Sequence, residues 1–381
     1  MKRTICALLA VLMVLALAVG CSRGPKETTS TDTSTDTSTT TSGGSQGGTS
    51  TVTEINSADG DFAGGTYEDA KNTTIACCMG SMNHPVHRVV QYSFVTEGRS
   101  KGYKAIVSGL DEGSTQELIA KFESTFDNGA KGALVWTGDD TMYQMMRDYQ
   151  GECVFVVPHF AHEYEDTKDF IARNITATAK NYGEAAGKFV ADRLGEKGIT
   201  TGMILCSESG PNVTENAAKD AFYTYIKNNT GFTLYTDNGG VVYETLEVTT
   251  AANALAAALT SHPEIVGCFG TTGGSAQAYV QAMKTTGRSD LVVCAIDYIE
   301  FNVNAVADGS ITGIVCQPLA EEAKYSVDTI DSVLQNKTYN GSAASWFLEL
   351  EAPVAWKGGD GKYQIETYRP IVNAVKAYYS D

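Results

Sequence analysis

Positive charge is scarce in this chain. Its 381 residues carry 28 Lys and Arg against 45 Asp and Glu, a formal net charge of −17. Phosphate backbones are held by basic faces, so this balance excludes nucleic acid as a partner. A second long apolar run is also missing: after the first twenty residues nothing reaches the ~20 apolar residues that a membrane span needs. Cysteine is present but not in pairs. Of 9 Cys, Cys6 and Cys21 lie at the N-terminus, while Cys77, Cys78, Cys153, Cys206, Cys268, Cys294 and Cys316 sit in apolar, strand-like runs. An odd number without paired loop spacing does not make a disulfide framework. Buried thiols act as small hydrophobes, and free thiols are the expectation. Also absent are a phosphate loop, a zinc-ligating helix pair and a strand-placed nucleophile with partners. Residues Gly43–Gly47 match the nucleophile-elbow pattern, but no strand or helix flanks them. Binding without catalysis, and without a cofactor, is therefore expected.

The first residues set the compartment. Met1-Lys2-Arg3 is a short positive start, Ile5 to Gly20 is almost unbroken apolar chain, and Leu17-Ala18-Val19-Gly20-Cys21 closes it with small residues. This reads as a secretory signal peptide over 1–20. The cysteine at the cut resembles a bacterial lipobox, which makes Cys21 the lipidated first residue of an extracytoplasmic, membrane-anchored protein. The competing reading, a transmembrane anchor, needs a longer run. Residues 21–72 then form a Ser/Thr/Gly-rich tether that cannot bury enough apolar area to offset chain entropy.

Roughly 310 residues follow from Thr73, enough for two lobes of ordinary size. Strand-like runs (Thr74–Met79, Lys104–Gly109, Gly132–Thr137, Cys153–Pro158, Phe170–Ile175) alternate with amphipathic stretches (His87–Ser100, Thr115–Asn128, Tyr182–Leu194). A second series follows, with strands Gly202–Ser207, Thr233–Tyr235, Val266–Gly270, Leu291–Asp297 and Thr312–Gln317. Its helices are Thr214–Asn228, Ala251–Leu259, Ser275–Thr286 and Ala320–Leu334. Ser114-Thr-Gln-Glu117 is a capping-box start. Alternation of this kind predicts an α/β fold of two Rossmann-like lobes with parallel sheets. Ligands of such sheets bind beyond the carboxyl ends of the strands. The candidates there are His84, His87, Asp139, His159, Asn174, Asn216, Thr272, Asp297 and Gln317.

In this ordered series the chain resembles the periplasmic sugar-binding proteins of the ribose-binding type, the type I solute receptors of ABC importers. Ile75–His87 with Gly102-Tyr103, Phe269–Gly274 with the following helix, Ala295-Ile296-Asp297, and Ala307-Asp308-Gly309 through Gln317-Pro318 carry the likeness. The resemblance implies a three-strand hinge. It puts 73–174 plus 318–347 in one lobe and 175–317 plus 348–381 in the other. It also implies a monomer that hands its solute to a permease. Asp297 matches the acid that accepts hydrogen bonds from sugar hydroxyls, and Gln317 matches the hinge amide. The stacking aromatic of the second lobe falls near Tyr243 to Leu246.

The departures limit that implication. His84 stands where the family has Asn, and Val86 and His87 where it has two aromatics. Pro158-His159 replaces Asp-Arg, Ala217 or Ala218 replaces an arginine, and Thr272-Gly273 replaces Asn-Asp. Without the arginines, strongly anionic solutes are disfavoured. The histidines, His162 among them, are read as contacts to a sugar or heterocycle such as a nucleoside, as metal ligands, or as surface groups. Asp139 and Asp140 are read as N-caps or as ligand contacts. Importer receptor and sensor module for a membrane kinase or chemoreceptor remain alternative uses of such a cleft.

Overall fold

The computed structural model describes residues 50–51, 66–67, 73–210, 213–244, 247–335 and 346–380. Cys21, the signal segment and most of the tether lie outside those residues. A two-residue antiparallel pair, β1 (Ser50–Thr51) with β2 (Thr66–Tyr67), precedes the folded body.

The first series folds as β3 (Thr74–Gly80), α1 (Pro85–Ser100), β4 (Lys104–Leu110), α2 (Thr115–Asp127), β5 (Ala130–Val135) and α3 (Tyr143–Asp148). It continues through β6 (Val154–Pro158), α4 (Tyr164–Thr167) and β7 (Ile171–Thr176). The second runs through α5 (Ala179–Glu196), β8 (Met203–Glu208), α6 (Val213–Asn229), β9 (Thr233–Leu234), β10 (Val242–Tyr243) and α7 (Val248–Ser261). Then come β11 (Ile265–Gly270), α8 (Ser275–Thr286), β12 (Val292–Ile296), α9 (Glu300–Asp308) and β13 (Gly313–Val315). The chain returns to the first lobe in α10 (Leu319–Leu334) and β14 (Phe347–Glu349), then crosses back to β15 (Val354–Trp356) and α11 (Arg369–Tyr378).

The N-lobe sheet is ordered β14-β7-β6-β5-β3-β4, and all of its pairs are parallel. The C-lobe sheet is ordered β10-β8-β11-β12-β13-β15, with β9 also on β8 and β15 antiparallel to β13. Both lobes therefore wind the same way. The expected α/β architecture of two lobes with parallel-dominated sheets is present. The sheet changes fall at Ala177–Thr178, Cys316–Pro318 and Leu350–Pro353, so β7 stays in the N-lobe sheet past Asn174, to Thr176.

Each sheet is covered on both faces, which explains why its strands read as continuous apolar runs. In β3, Ile75, Cys77 and Met79 pack toward α1 and α10, while Ala76 and Cys78 meet Phe122 and Met146 on the opposite face. In the C-lobe, Leu205, Cys268 and Val293 face Leu255 and Tyr279, and Cys206, Phe269 and Cys294 face Phe189 and Phe222. The Ser114 capping box is complete, with hydroxyl and Glu117 carboxylate each taking the other's backbone N–H. All seven cysteines in the described body are unpaired and buried. Burial raises their thiols, Cys268 to about 12. Thiol titration of residues 73–381 should therefore find essentially no fast-reacting group in the folded protein and seven after denaturation without reductant. Two or more missing thiols would contradict the structure.

The C-terminal helix belongs to both lobes. From α11, Lys376 pairs with Glu300 of α9 at 2.6 Å and Arg369 donates to Asn304 at 2.8 Å. On the N-lobe side, the Tyr379 hydroxyl donates to Gln91 of α1 at 2.7 Å, and Arg88 lies 4.7 Å above the Tyr379 ring. Ile365, just before the helix, is fully buried. Ile365→Ala should cost about 2–5 kcal/mol in denaturant melts. Tyr379→Phe, which loses one partly buried hydrogen bond, should cost only about 1 kcal/mol.

Candidate functional site

The sheets present their carboxyl ends to each other, and two residues mark the meeting place. His159 follows β6 and Asp297 follows β12, strands that hold equivalent positions in the two sheets. Both adopt left-handed backbone, with φ of 74° and 73°. For side chains with a Cβ this conformation costs of order 1–3 kcal/mol and persists only where the surroundings enforce it. Here they do. The His159 N–H donates to Ile175 O at 2.8 Å, and its carbonyl accepts from the Thr176 hydroxyl at 2.7 Å. The Asp297 N–H donates to Val315 O at 2.8 Å, and its carbonyl accepts from Asn302 Nδ2 at 3.0 Å. The same device thus turns one side chain from each lobe into the gap.

The N-lobe wall is aromatic. Trp136, at the end of β5, stacks on His159 at 4.2 Å and 20°. His87 lies 5.4 Å from Trp136, and His84 lies 5.0 Å from His87. His87 Nδ1 donates to Gly80 O at 2.8 Å, and burial pushes its pKa down to about 4. At neutral pH it is uncharged, with Nε2 left as an acceptor. His159 Nδ1 pairs with the buried Glu322 of α10 at 3.3 Å, and burial raises that carboxylate.

The C-lobe wall is acidic. Asp297 is 4% exposed, and its Oδ1 has no hydrogen-bond partner among the described residues. Burial first, opposed by His159 and assisted by Glu322 and Glu215, raises it to about 7. Tyr182 of α5 lies beside Asp297, Glu322, Glu215 and the buried Gln317. Glu215 accepts from Ser209 N and Oγ at 2.6 and 2.7 Å and from Thr271 Oγ1 at 3.1 Å. Glu208 is fully buried with Lys219 Nζ at 3.6 Å. The lobes touch across this gap: a Cβ on Gly273 would lie 3.1 Å from Asp297 Oδ2 and 3.3 Å from Val86 of the N-lobe.

The structure thus brings Asp297, Gln317, His159, His87 and His84 to one cleft, and gives other candidates different tasks. Asn174 is fully buried with its amide in use: Nδ2 donates to Val157 O and Phe160 O, both at 2.7 Å, and Oδ1 accepts from His162 N at 3.0 Å. It pins the loop that carries His159. His162 uses both ring nitrogens on Thr137 O and the Tyr143 hydroxyl. Asp139 is exposed and caps a turn, accepting from Thr141 N at 2.9 Å. Asn216 Oδ1 accepts from Lys219 at 3.4 Å. Tyr243 is 51% exposed and lines a separate hollow with Tyr235, Asp237 and His262 at the sheet edge. Thr272 donates to Glu244 at 3.1 Å. Among the described residues, no three His, Cys, Asp or Glu side chains converge as metal ligands. Sequence reasoning missed Trp136, Tyr182 and Glu322. Trp136 had a signal, an aromatic at the end of a strand; the other two enter from helices, and only the fold brings them here.

The sequence profile of the periplasmic binding protein domain matches residues 75–338. The chain belongs to that family. Among curated proteins it is similar to the ribose import binding protein of Escherichia coli (strain K12), 22% identical over 276 residues, covering 69% of this chain and 86% of that one. One similar solved structure is a carbohydrate transporter solute-binding protein from Agrobacterium radiobacter with D-arabinose (TM-score 0.64, 16% identity, 78% and 98% of the two chains). Another is an ABC transporter solute-binding protein from Agrobacterium vitis with D-fucose (TM-score 0.63, 18% identity, 77% and 98%). At such identities the structures establish a shared fold.

The Asp297 shift has a consequence for stability. The ordinary Asp value is about 3.9, and the folded value is about 7. The folded state therefore holds the proton more tightly. The contribution is full below about pH 4 and is lost as pH rises through about 7. The ligand-free melting temperature should fall between pH 5 and 7.5, and Asp297→Asn should flatten part of that fall. An unchanged slope in the variant would show that Asp297 does not titrate there.

Proposed function

We propose that this protein captures a small hydroxyl-rich solute, a sugar or sugar-like compound, and delivers it to the permease of an ABC importer. The observation that carries this reading is the pair His159 and Asp297, each turned by left-handed backbone past an equivalent strand of its lobe and close enough to interact electrostatically, with Trp136 stacked on His159 and Gln317 buried nearby. A carboxylate accepts from vicinal hydroxyls, an amide both donates and accepts, and a flat ring covers the apolar face of a pyranose. The arabinose and fucose named for its structural neighbours support the same class. The acidic C-lobe wall, with Lys219 as its cation, disfavours anionic solutes. The lipobox at Cys21 supports anchoring on the outer face of the cell membrane, with residues 21–72 as tether.

Thermal-shift screening against pentoses, hexoses, polyols, nucleosides and divalent metals should show sugars or polyols raising the melting temperature through binding linkage. Metal-only stabilisation reversed by chelator would sink the proposal. With a hit in hand, Asp297→Ala and Gln317→Ala should each cost about 1–3 kcal/mol of affinity by calorimetry. Palmitate labelling of the expressed chain, lost in Cys21→Ser, tests the anchor.

A further inference from the structure

Beside the main cleft, past Gly273, lies a cavity of about 290 Å³ that both lobes line. The N-lobe contributes His84 and Pro85; the C-lobe contributes Glu244, Gln277, Phe301 and Asn302, over an apolar floor that includes Val248. It adjoins the solute site: a Cβ on Gly273 would sit 3.1 Å from Asp297 Oδ2 and 4.0 Å from His84 Cε1.

Among the described residues that line this chamber Glu244 is the one carboxylate, and there is no Lys or Arg. Glu244, 2% exposed, accepts from Ser275 Oγ at 3.0 and 3.1 Å and from Thr272 Oγ1 at 3.1 Å. Those hydroxyls satisfy lone pairs but carry no charge, and no ion pair to Glu244 occurs among the described residues. The amino end of α8, at Gly274, supplies about half a positive charge. Burial raises the Glu244 carboxyl and the surrounding hydroxyls oppose that rise, so a cation placed here would hold it ionised. Asn302 is fully buried with Nδ2 committed to the carbonyls of Gly273, Ile296 and Asp297, and its Oδ1 has no partner. His84 adds no positive charge at neutral pH, since burial lowers its pKa. Buried charge is normally paired. A side chamber that presents a buried carboxylate, adjoins the candidate hydroxyl-binding cleft and has no Lys or Arg among its described lining residues is complementary to an ammonium group.

We propose that this chamber is a second subsite that binds the protonated amine of an aminated sugar or polyol, with Glu244 as its counter-ion. The inference rests on the hydroxyl-binding reading of the main cleft and deepens it. The solute's ring occupies the space between Asp297 and Trp136, while its amine reaches past Gly273. Phe301, 37% exposed at the rim, borders the entrance.

Calorimetry on the full chain at pH 7 tests this with matched sets: D-glucose, D-glucosamine and N-acetyl-D-glucosamine, and the same three forms of galactose and mannose. In at least one set the amine should bind at least tenfold more tightly than its neutral and N-acetylated counterparts. In Glu244→Gln that ratio should fall to near one. Neutral members binding as tightly as amines, or a ratio unchanged in the variant, would overturn the subsite while leaving the main-cleft reading standing. No heat with any member of any set would overturn the subsite, and the main-cleft reading would fall only if the pentose, hexose and polyol screen were also silent. Should the variant not fold, a co-crystal of the wild-type chain with the preferred amine decides: nitrogen within 3.2 Å of Glu244 supports the subsite, and nitrogen elsewhere overturns it.

Discussion

A parallel sheet covered on both faces leaves a polar side chain one place to meet a ligand, the carboxyl edge of the strands. The candidate site of this protein follows from that constraint. The interior of each strand is closed to chemistry because its side chains meet helices above and below, as Cys77 and Cys78 do on opposite faces of β3. At β6 and β12 the chain goes further and forces the first residue past the strand into left-handed backbone. The strain at His159 and Asp297 is held by a ladder hydrogen bond on one side and a side-chain bond to the carbonyl on the other. Two sheets wound the same way thus deliver one base and one acid to a common gap.

How much of this was legible depended on whether the signal was local. Apolar runs flanked by amphipathic segments located the main strands and helices to within about three residues, because both faces of each strand must be apolar. The Ser114 cap was readable for the same reason: its donors and acceptors lie within one turn. Helix α9 was not. Its sequence, Glu-Phe-Asn-Val-Asn-Ala-Val-Ala-Asp, is rich in residues that disfavour helix interiors. Its stability comes from Val303 and Val306 in the core and from Asn302 bridging three carbonyls. Helix α11 lay beyond the family pattern and gains its place from contacts with α1 and α9. At the cleft, Asp297 and Gln317 could be picked from strand ends. Asn174 looked like the same kind of residue, yet its amide is consumed by backbone groups that no sequence spacing reveals. Trp136 could have been found from position alone; Glu322 and Tyr182 could not, since helices bring them in from distant segments.

The electrostatics of the cleft follow from substitutions that remove arginine. Lys219 and the ring of His159 face Asp297, Glu322, Glu215 and Glu208. An anionic solute would add charge to a site already in surplus, whereas neutral hydroxyl donors satisfy its lone pairs without adding to that surplus. The aromatic N-lobe wall complements this by adding contact area without charge.

The raised pKa of Asp297 is also a statement about the lobes. Its main cause is burial, and that burial is a joint product of both halves: Gly273 packs against the carboxylate on one side and close to Val86 and His84 on the other. Separating the lobes returns water to Asp297 and moves His159 and Glu322 away from it. Rehydration favours the ionised form and loss of His159 disfavours it, but burial is the larger influence. Any separation of the lobes would therefore lower the pKa, so the proton on Asp297 and the contact between the lobes are coupled.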